Sequence, residues 1–332
     1  MRRMRASIPL SILAAMVLSH PPHAAPDEPL EPIGSIPMQG VKGRIDHFGI
    51  DLKNDRLFVA ALGNNTLEVI DAKAKRRVQS LKGFGEPQGV QYVPKFNRLY
   101  VANGSANRVD ILDGTTYARI RSIEGLEDAD NVRYDAAKQK IYVGYKKGAL
   151  KVLDAATGDP SGDIALPAHP ESFQLEQAGE RIFVNVPSAR QVAVVDRNKR
   201  SVIASWDVPG ASANYPMALD EAGRRLFVGA RSPALLLIYD IDSGKVVSTL
   251  PIGGDTDDIF FDAARKRIYV ICGEGLVNVV QQQDANRYIL KSTLQTAQRA
   301  RTGLFVPETG RLYVAVPAAG ASSAEIRSYR IH

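Results

Sequence analysis

A short strand motif reads Arg98-Leu99-Tyr100-Val101-Ala102-Asn103, and its central pair, an aromatic residue followed by valine, recurs in seven similar apolar runs at a regular spacing. The aromatic members of the pairs are Phe58, Tyr100, Tyr142, Phe183, Phe227, Tyr269 and Tyr313. Successive members are 42, 42, 41, 44, 42 and 44 residues apart. A fixed period of this length means that one supersecondary unit is repeated, and for an all-β unit it fits a four-stranded propeller blade. The sequence therefore predicts an all-β fold, a seven-bladed β-propeller of four-stranded antiparallel blades.

Each repeat shows the same order of strands. The first strand alternates apolar residues, as in residues 90–93, the second carries the aromatic residue, and a more polar fourth strand follows the third, as in residues 77–81. Alternation with β-branched and aromatic residues between Gly, Asn and Asp turns is typical of strands and hairpins. An aspartate ends the third strand in five blades, and we expect it to bond backbone N–H groups of the next turn: Asp71, Asp113, Asp154, Asp196 and Asp240.

The last repeat is one strand short. Its three strands are predicted at residues 303–306, 311–316 and 325–331, and then the chain stops. Residues 32–37 resemble the fourth-strand pattern of the other repeats. We therefore predict that the N-terminal strand pairs with the C-terminal one and closes the ring, which removes the exposed edges of an open array.

The start of the chain has the pattern of a secretory signal peptide. Arginines at positions 2, 3 and 5 precede an apolar stretch over residues 8–18, and the small residues Ala24 and Ala25 follow. We predict a signal peptide over residues 1–24 and a single propeller domain over residues 25–332, exported to the periplasm or secreted. No later stretch has 18 consecutive apolar residues, so we expect no transmembrane anchor.

Charge and cysteine content disfavour some functions. Removing residues 1–24 takes away three arginines and no acids, which lowers the formal charge from +6 to +3. The chain also lacks a basic stripe interleaved with aromatic residues, so a nucleic-acid-binding propeller is the least favoured interpretation. The one cysteine, Cys272, is predicted to be a buried small hydrophobe, and the fold must rest on packing without an internal disulfide. We expect a monomer.

Two segments carry a family resemblance. Residues 98–103 and Pro87-Gln88-Gly89-Val90 resemble the YVTN repeat of YncE-like, exported seven-bladed propellers, and the resemblance covers about residues 30–332. It implies the fold and export. It implies no catalytic residues, because that family is defined by its structural repeat.

Polar residues vary at the positions that lead into the first strands, where the repeat places one end of the central channel. Twelve residues before the aromatic stand Asp46, Gln88, Asp130, Glu171, Tyr215, Asp257 and Arg301. Eleven residues before the aromatic stand His47, Gly89, Asn131, Ser172, Pro216, Asp258 and Thr302. Fourteen residues before it stand Arg44, Glu86, Asp128, His169, Ala213, Asp255 and Arg299. The backbone needs are the same in every blade, so the fold does not require this variation. We predict a ligand site formed by Asp46, His47, Gln88, Asp130, Asn131, Glu171, Tyr215, Asp257, Asp258 and Arg301.

Four carboxylates facing one channel repel one another unless a positive charge lies among them. They are Asp46, Asp130, Glu171 and Asp257. Arg301, bound protons or a divalent cation can relieve this repulsion, and an all-oxygen ligand set suits Ca²⁺ or Mg²⁺. A water-filled channel without a metal and an organic ligand held by Arg301 and Tyr215 are the alternatives.

The sequence favours a non-enzymatic binding or protein-interaction module of the cell envelope, whose partner is an unknown small molecule or envelope protein. The alternative is a divalent-metal-assisted hydrolase, lactonase or lyase that uses the channel carboxylates. His47 or His169 would then be a general base beside Asp46 or Glu171, and a hydrogen-bonded structural role is the other interpretation of each histidine.

Overall fold

The computed structural model describes residues 28–146 and 148–332, so the predicted signal peptide lies outside the described residues. The described residues form 28 strands in seven four-stranded antiparallel sheets, and the predicted seven-bladed propeller is confirmed. Among these residues we find no helix with the length and apolar character needed to cross a bilayer.

The first strand of the described residues is β1, Leu30–Met38. Blade 1 contains β2 (Phe48–Asp51), β3 (Arg56–Ala61), β4 (Thr66–Asp71) and β5 (Arg76–Lys82). Blade 2 contains β6 (Pro87–Val93), β7 (Arg98–Asn103), β8 (Arg108–Asp113) and β9 (Arg119–Glu124). Blade 3 contains β10 (Val132–Asp135), β11 (Lys140–Tyr145), β12 (Ala149–Asp154) and β13 (Pro160–Ala165).

The second half repeats this order. Blade 4 contains β14 (Phe173–Leu175), β15 (Arg181–Val186), β16 (Gln191–Asp196) and β17 (Ser201–Asp207). Blade 5 contains β18 (Ser212–Asp220), β19 (Arg225–Ser232), β20 (Ala234–Asp240) and β21 (Val246–Pro251). Blade 6 contains β22 (Thr256–Asp262), β23 (Arg267–Cys272), β24 (Leu276–Gln282) and β25 (Tyr288–Gln295). Blade 7 contains β26 (Gly303–Val306), β27 (Arg311–Val316) and β28 (Ala324–Ile331), and single 3₁₀ turns lie at Leu62–Asn64, Pro187–Ala189 and Pro307–Thr309.

Strand β1 completes blade 7, as the sequence predicts. It pairs antiparallel with β28, with Leu30 opposite Ile331 and Ile36 opposite Ile326. The strand is longer than the predicted residues 32–37, and a register shift interrupts it between Pro32 and Gly34. Leu30 and Ile36 are buried, so the N-terminal strand contributes core surface as well as a hydrogen-bonded edge.

The repeated aromatic residue of the second strand fills the space between two blades. All seven aromatic side chains are buried. Phe58 of blade 1 contacts Tyr92 of blade 2 at 5.9 Å between ring centroids, and Phe227 of blade 5 contacts Phe261 of blade 6 at 5.2 Å. The repeated aromatic residue therefore marks each interface between blades, where neighbouring sheets pack their apolar faces together.

The aspartates at the ends of the third strands have the predicted turn role. Asp113 Oδ1 accepts hydrogen bonds from the backbone N–H of Thr115 at 3.0 Å and of Thr116 at 2.8 Å. Four of the five carboxylates also pair with the basic residue that starts the second strand, as Arg56 does at 2.8 Å from Asp71. The repeated turn contacts identify these acids as part of the fold rather than of a site.

First strands of neighbouring blades contact each other around the whole ring, in the order β2, β6, β10, β14, β18, β22, β26 and back to β2. The first strands therefore surround the central channel. The fourth strands, such as β5, lie at the outside and are largely exposed. This arrangement directs the loops that lead into the first strands toward the channel.

Candidate functional site

The loop that leads into a first strand and the loop between the second and third strands lie on the same face. Gly63 N donates to Arg44 O at 2.9 Å in blade 1, and Gly273 N donates to Asp255 O at 2.9 Å in blade 6. Since the first strands surround the channel, the leading loops form one of its ends. We call this end the channel mouth and define it as residues 44–47, 86–89, 128–131, 169–172, 213–216, 255–258 and 299–302.

Hydrogen bonds join neighbouring blades at the channel mouth. Thr302 Oγ1 donates to Ile45 O at 3.0 Å and so links the last blade to the first. Ser172 N donates to Tyr215 O at 3.3 Å and links blades 4 and 5. These bonds fix the mouth loops of the joined blades relative to each other.

Five blades enter the mouth through a residue in the left-handed backbone conformation, at the same repeat position: Glu86, Asp128, Ala213, Asp255 and Arg299, with φ between 49° and 69°. The equivalent residue of blade 4, His169, is not left-handed. It precedes Pro170, and a residue before proline is pushed toward extended backbone. The backbone conformation at His169 therefore differs from that of these five counterparts.

Arginines neutralise two of the four predicted carboxylates. Arg44 Nη2 lies 2.9 Å from Asp46 Oδ2, and Asp46 is fully buried. Asp257 accepts from Arg231 Nη2 at 2.5 Å and lies 3.0 Å from Arg301 Nε. Burial raises the pKa of the Asp257 carboxyl, and Arg231 opposes that shift. These two carboxylates thus have their countercharges from the protein itself.

His47 lies between two carboxylates. Its Nδ1 is 3.3 Å from Asp258 Oδ1, and its Nε2 is 3.7 Å from Asp46 Oδ1. Burial alone would lower the pKa of His47, but the Asp258 and Asp46 carboxylates outweigh it and raise the pKa to about 10. A cationic imidazole cannot accept a proton at neutral pH, so this geometry favours the structural role over the general base.

The other two predicted carboxylates lie together with His169. One ligand atom each from Asp130, His169 and Glu171 lie within 4.8 Å of one another, and His169 Nε2 is 3.9 Å from Glu171 Oε1. Burial raises the pKa of Glu171 to about 9, and the carboxylates of Asp130 and Asp257 add to the shift. Burial also raises the pKa of Asp130 to about 6, against the opposing charge of His47, and lowers the pKa of His169. This side of the mouth therefore has an excess of acidic groups.

The remaining predicted residues have separate environments. Gln88 Nε2 donates to Ala129 O at 3.3 Å. The ring of Tyr215 lies under the guanidinium of Arg231, with Cζ 4.0 Å from the ring centroid. Asn131 is buried, and its Oδ1 has no hydrogen-bond partner among the described residues. The structure thus places all ten predicted residues at the mouth, but it divides them into several contact groups.

A cavity of about 300 Å³ lies in the channel behind the mouth. Its polar lining includes His47, Arg133, Ser172, Gln174 and Asp258, and its apolar lining includes aromatic rings of blades 6 and 7. This volume is at the lower end of the range for small-molecule pockets. A small polar molecule fits it better than a folded segment of another protein.

Four residues outside the predicted ligand site contact its members: Arg44, Arg231, Asp255 and His169. Arg301 Nη1 lies 2.8 Å from Asp255 Oδ1, and Arg231 pairs with both Asp255 and Asp257. The comparison of repeat positions does bring Arg44, His169 and Asp255 to attention. Arg231 lies near the end of the second strand β19, and only the three-dimensional contact identifies its role.

The comparisons with known proteins support the fold alone. No family model and no curated protein matches the chain. A chain of a crystal structure of a mitotic checkpoint complex superposes with a TM-score of 0.77 at 14% sequence identity, over 97% of this chain and 99% of that one. Because 1807 chains of solved structures match in this comparison, the shared fold does not assign a function.

Proposed function

We propose that this chain is an exported binding module of the cell envelope, of the YVTN-repeat (YncE-like) type, which holds a small polar ligand at the channel mouth. The supporting observation is a polar cavity of about 300 Å³ behind a ring of fixed, partly exposed charged side chains. The resemblance in the repeats and the signal-peptide pattern support the family and the location. Metal-assisted catalysis stays the alternative prediction.

The charged side chains at the mouth are held before any ligand arrives. The side chains of Arg231 and Arg301 are each 21% exposed and are fixed by Asp255 and Asp257. Side chains that are already ordered cost less conformational entropy when a ligand binds. Such groups can orient a polar molecule that enters the cavity.

The aspartates that end the third strands lie on the opposite face and serve the fold. The turns of that face repeat the same aspartate contacts from blade to blade, as at Asp71 and Asp113, and those contacts satisfy the backbone. The mouth carries different polar side chains at equivalent positions, which the backbone does not need. We therefore place the ligand at the mouth.

The test uses a photocrosslinker attached to one engineered cysteine at a time. Ser105→Cys places it on an exposed loop of the mouth face, where Ala106 N contacts Gly85 O, and Ala74→Cys places it on an exposed turn of the opposite face. Cys272 is buried and leaves the engineered thiol as the reactive one. Each variant is expressed with its N-terminal segment, labelled, and irradiated in intact cells.

We expect adducts at Ser105→Cys that are absent at Ala74→Cys, with a mass shift below about 1 kDa, which is a small-molecule size that fits the cavity. A protein-sized adduct confined to the mouth would mean that the ligand is an envelope protein and not a small molecule. Equal labelling at both positions, or labelling at Ala74→Cys alone, would contradict a mouth site. Recovery of the chain only from the cytoplasm would contradict export.

A further inference from the structure

We propose that Asp130, His169 and Glu171 form a three-ligand site for a divalent transition-metal ion such as Zn²⁺. The inference goes beyond the proposed ligand-binding function and does not depend on it. A metal at this position would be a component of the mouth whether or not a small molecule binds in the cavity.

The geometry needs only small side-chain movements. The ligand atoms lie within 4.8 Å of one another, and His169 Nε2 is 3.9 Å from Glu171 Oε1. Metal–ligand bonds of about 2.0–2.2 Å bring the ligand atoms of one ion to about 3–3.5 Å from each other. The side chains of His169 and Glu171 are 26% and 23% exposed, so each has room to move by about an ångström toward Asp130.

Asp130 gives an independent indication of a missing positive partner. It is 6% exposed, and among residues 28–146 and 148–332 none donates a hydrogen bond to its carboxylate or places a cation within 4.0 Å of it. A buried carboxylate without a partner is costly, and it is directed at the ligand atoms of His169 and Glu171. A bound cation would supply the partner that the described residues do not.

His169 is also poorly satisfied by the protein. Its Nδ1 is buried and has no hydrogen-bond partner in the described part of the chain. Neither ring nitrogen is therefore fixed by a protein acceptor. A metal ion bound to one nitrogen would fix the ring.

The kind of ion follows from the ligand atoms. Asp46 and Asp257 are already paired with arginines, which leaves two carboxylates and one imidazole rather than the four-carboxylate set of the sequence prediction. Imidazole nitrogen suits zinc and its neighbours, whereas Ca²⁺ and Mg²⁺ prefer oxygen ligands throughout. Three protein ligands also leave coordination positions open toward the channel.

The test is titration of the chelator-treated, folded chain with ZnCl₂, followed by calorimetry. We expect one Zn²⁺ per chain, with affinity reduced at least about tenfold in His169→Gln and in Glu171→Gln, since even loss of a metal ligand's supporting contact costs about that much. Glu127→Gln is the matched control, an exposed acid beside the mouth that is not a ligand, and the affinity of that variant should stay within about twofold of the parent. Circular dichroism checks that each variant is folded.

A second measurement uses CoCl₂ alone on the parent chain. Cobalt bound to imidazole and carboxylates gives visible absorption bands, which should appear at one equivalent and disappear on addition of Zn²⁺. The proposal is overturned if the parent binds no Zn²⁺ at one equivalent, or if His169→Gln and Glu127→Gln bind it equally. It is also overturned if Ca²⁺ binds instead and Asp257→Asn, rather than His169→Gln, abolishes that binding.

Discussion

The Oδ1 of Asp258 lies 3.3 Å from His47 Nδ1, across the place where the propeller ring closes. The second oxygen of Asp258 accepts a hydrogen bond from Gly303 N at 2.9 Å. One carboxylate of blade 6 therefore joins blade 1 and blade 7. The ring closes through this polar contact at the channel as well as through strand β1 at the outside.

This contact makes the stability of the chain depend on pH. The pKa of His47 is raised from 6.5 to about 10, so its contribution is fully present below about pH 6.5 and is lost as pH rises through about 10. We expect His47→Gln to be less stable than the parent by several kcal/mol near pH 7, since one pKa unit corresponds to about 1.4 kcal/mol, and the difference to shrink toward pH 10. Urea unfolding between pH 6 and pH 10 measures it, with the exposed His332→Gln as control. If the free energies of unfolding of His47→Gln and the parent run parallel against pH, the raised pKa of His47 is refuted.

On the acidic side of the mouth, removing a charge should stabilise the metal-free protein instead of destabilising it. Burial, Asp130 and Asp257 raise the pKa of Glu171 from 4.5 to about 9, so the folded state loses stability as pH rises through that window. We expect Glu171→Gln in the presence of a chelator to match the parent near pH 4.5 and to exceed it by at least about 1 kcal/mol at pH 9. Glu127→Gln, an exposed acid nearby, should follow the parent throughout. If Glu171→Gln is less stable than the parent at pH 9, the Glu171 carboxylate of the parent has a stabilising partner.

The closing strand should contribute strongly to stability. Ile36 is fully buried on β1, between core residues of blades 1 and 7. We expect Ile36→Ala to lower the free energy of unfolding by about 2–5 kcal/mol, because it leaves a cavity at the closure. Ile120→Ala makes the same change at a side chain that is 51% exposed, and it should cost less than about 0.5 kcal/mol. Equal effects of the two substitutions in denaturant unfolding would argue against closure by β1 in solution.

The single thiol should be inert in the folded chain. Cys272 is fully buried on β23, and burial raises its pKa to about 12. Because the thiolate is the reactive form, we expect no alkylation by iodoacetamide at pH 8 in buffer and complete alkylation in denaturant. Mass spectrometry measures both, and Ser105→Cys should acquire one label in buffer. Rapid labelling of Cys272 in the native parent chain would mean that blade 6 opens.

Much of the fold could be predicted because its signals are local. The spacing of Phe58, Tyr100 and their counterparts gives the number of blades, and the aspartate turns give the ends of the third strands. The predicted closing strand at residues 32–37 is confirmed within a longer β1, Leu30–Met38. Its exact ends depend on pairing with β28, which the residues of β1 alone do not specify.

The sequence by itself determined which residues stand at the channel mouth, because a repeat places equivalent positions at equivalent points of a ring. It did not determine which charges meet. Only the tertiary structure decided that Asp257 pairs with Arg231 and Arg301 while Asp130 stays with Glu171. The physical reason is that ion pairing depends on separations of a few ångströms between side chains of different blades, and a backbone repeat does not fix those separations.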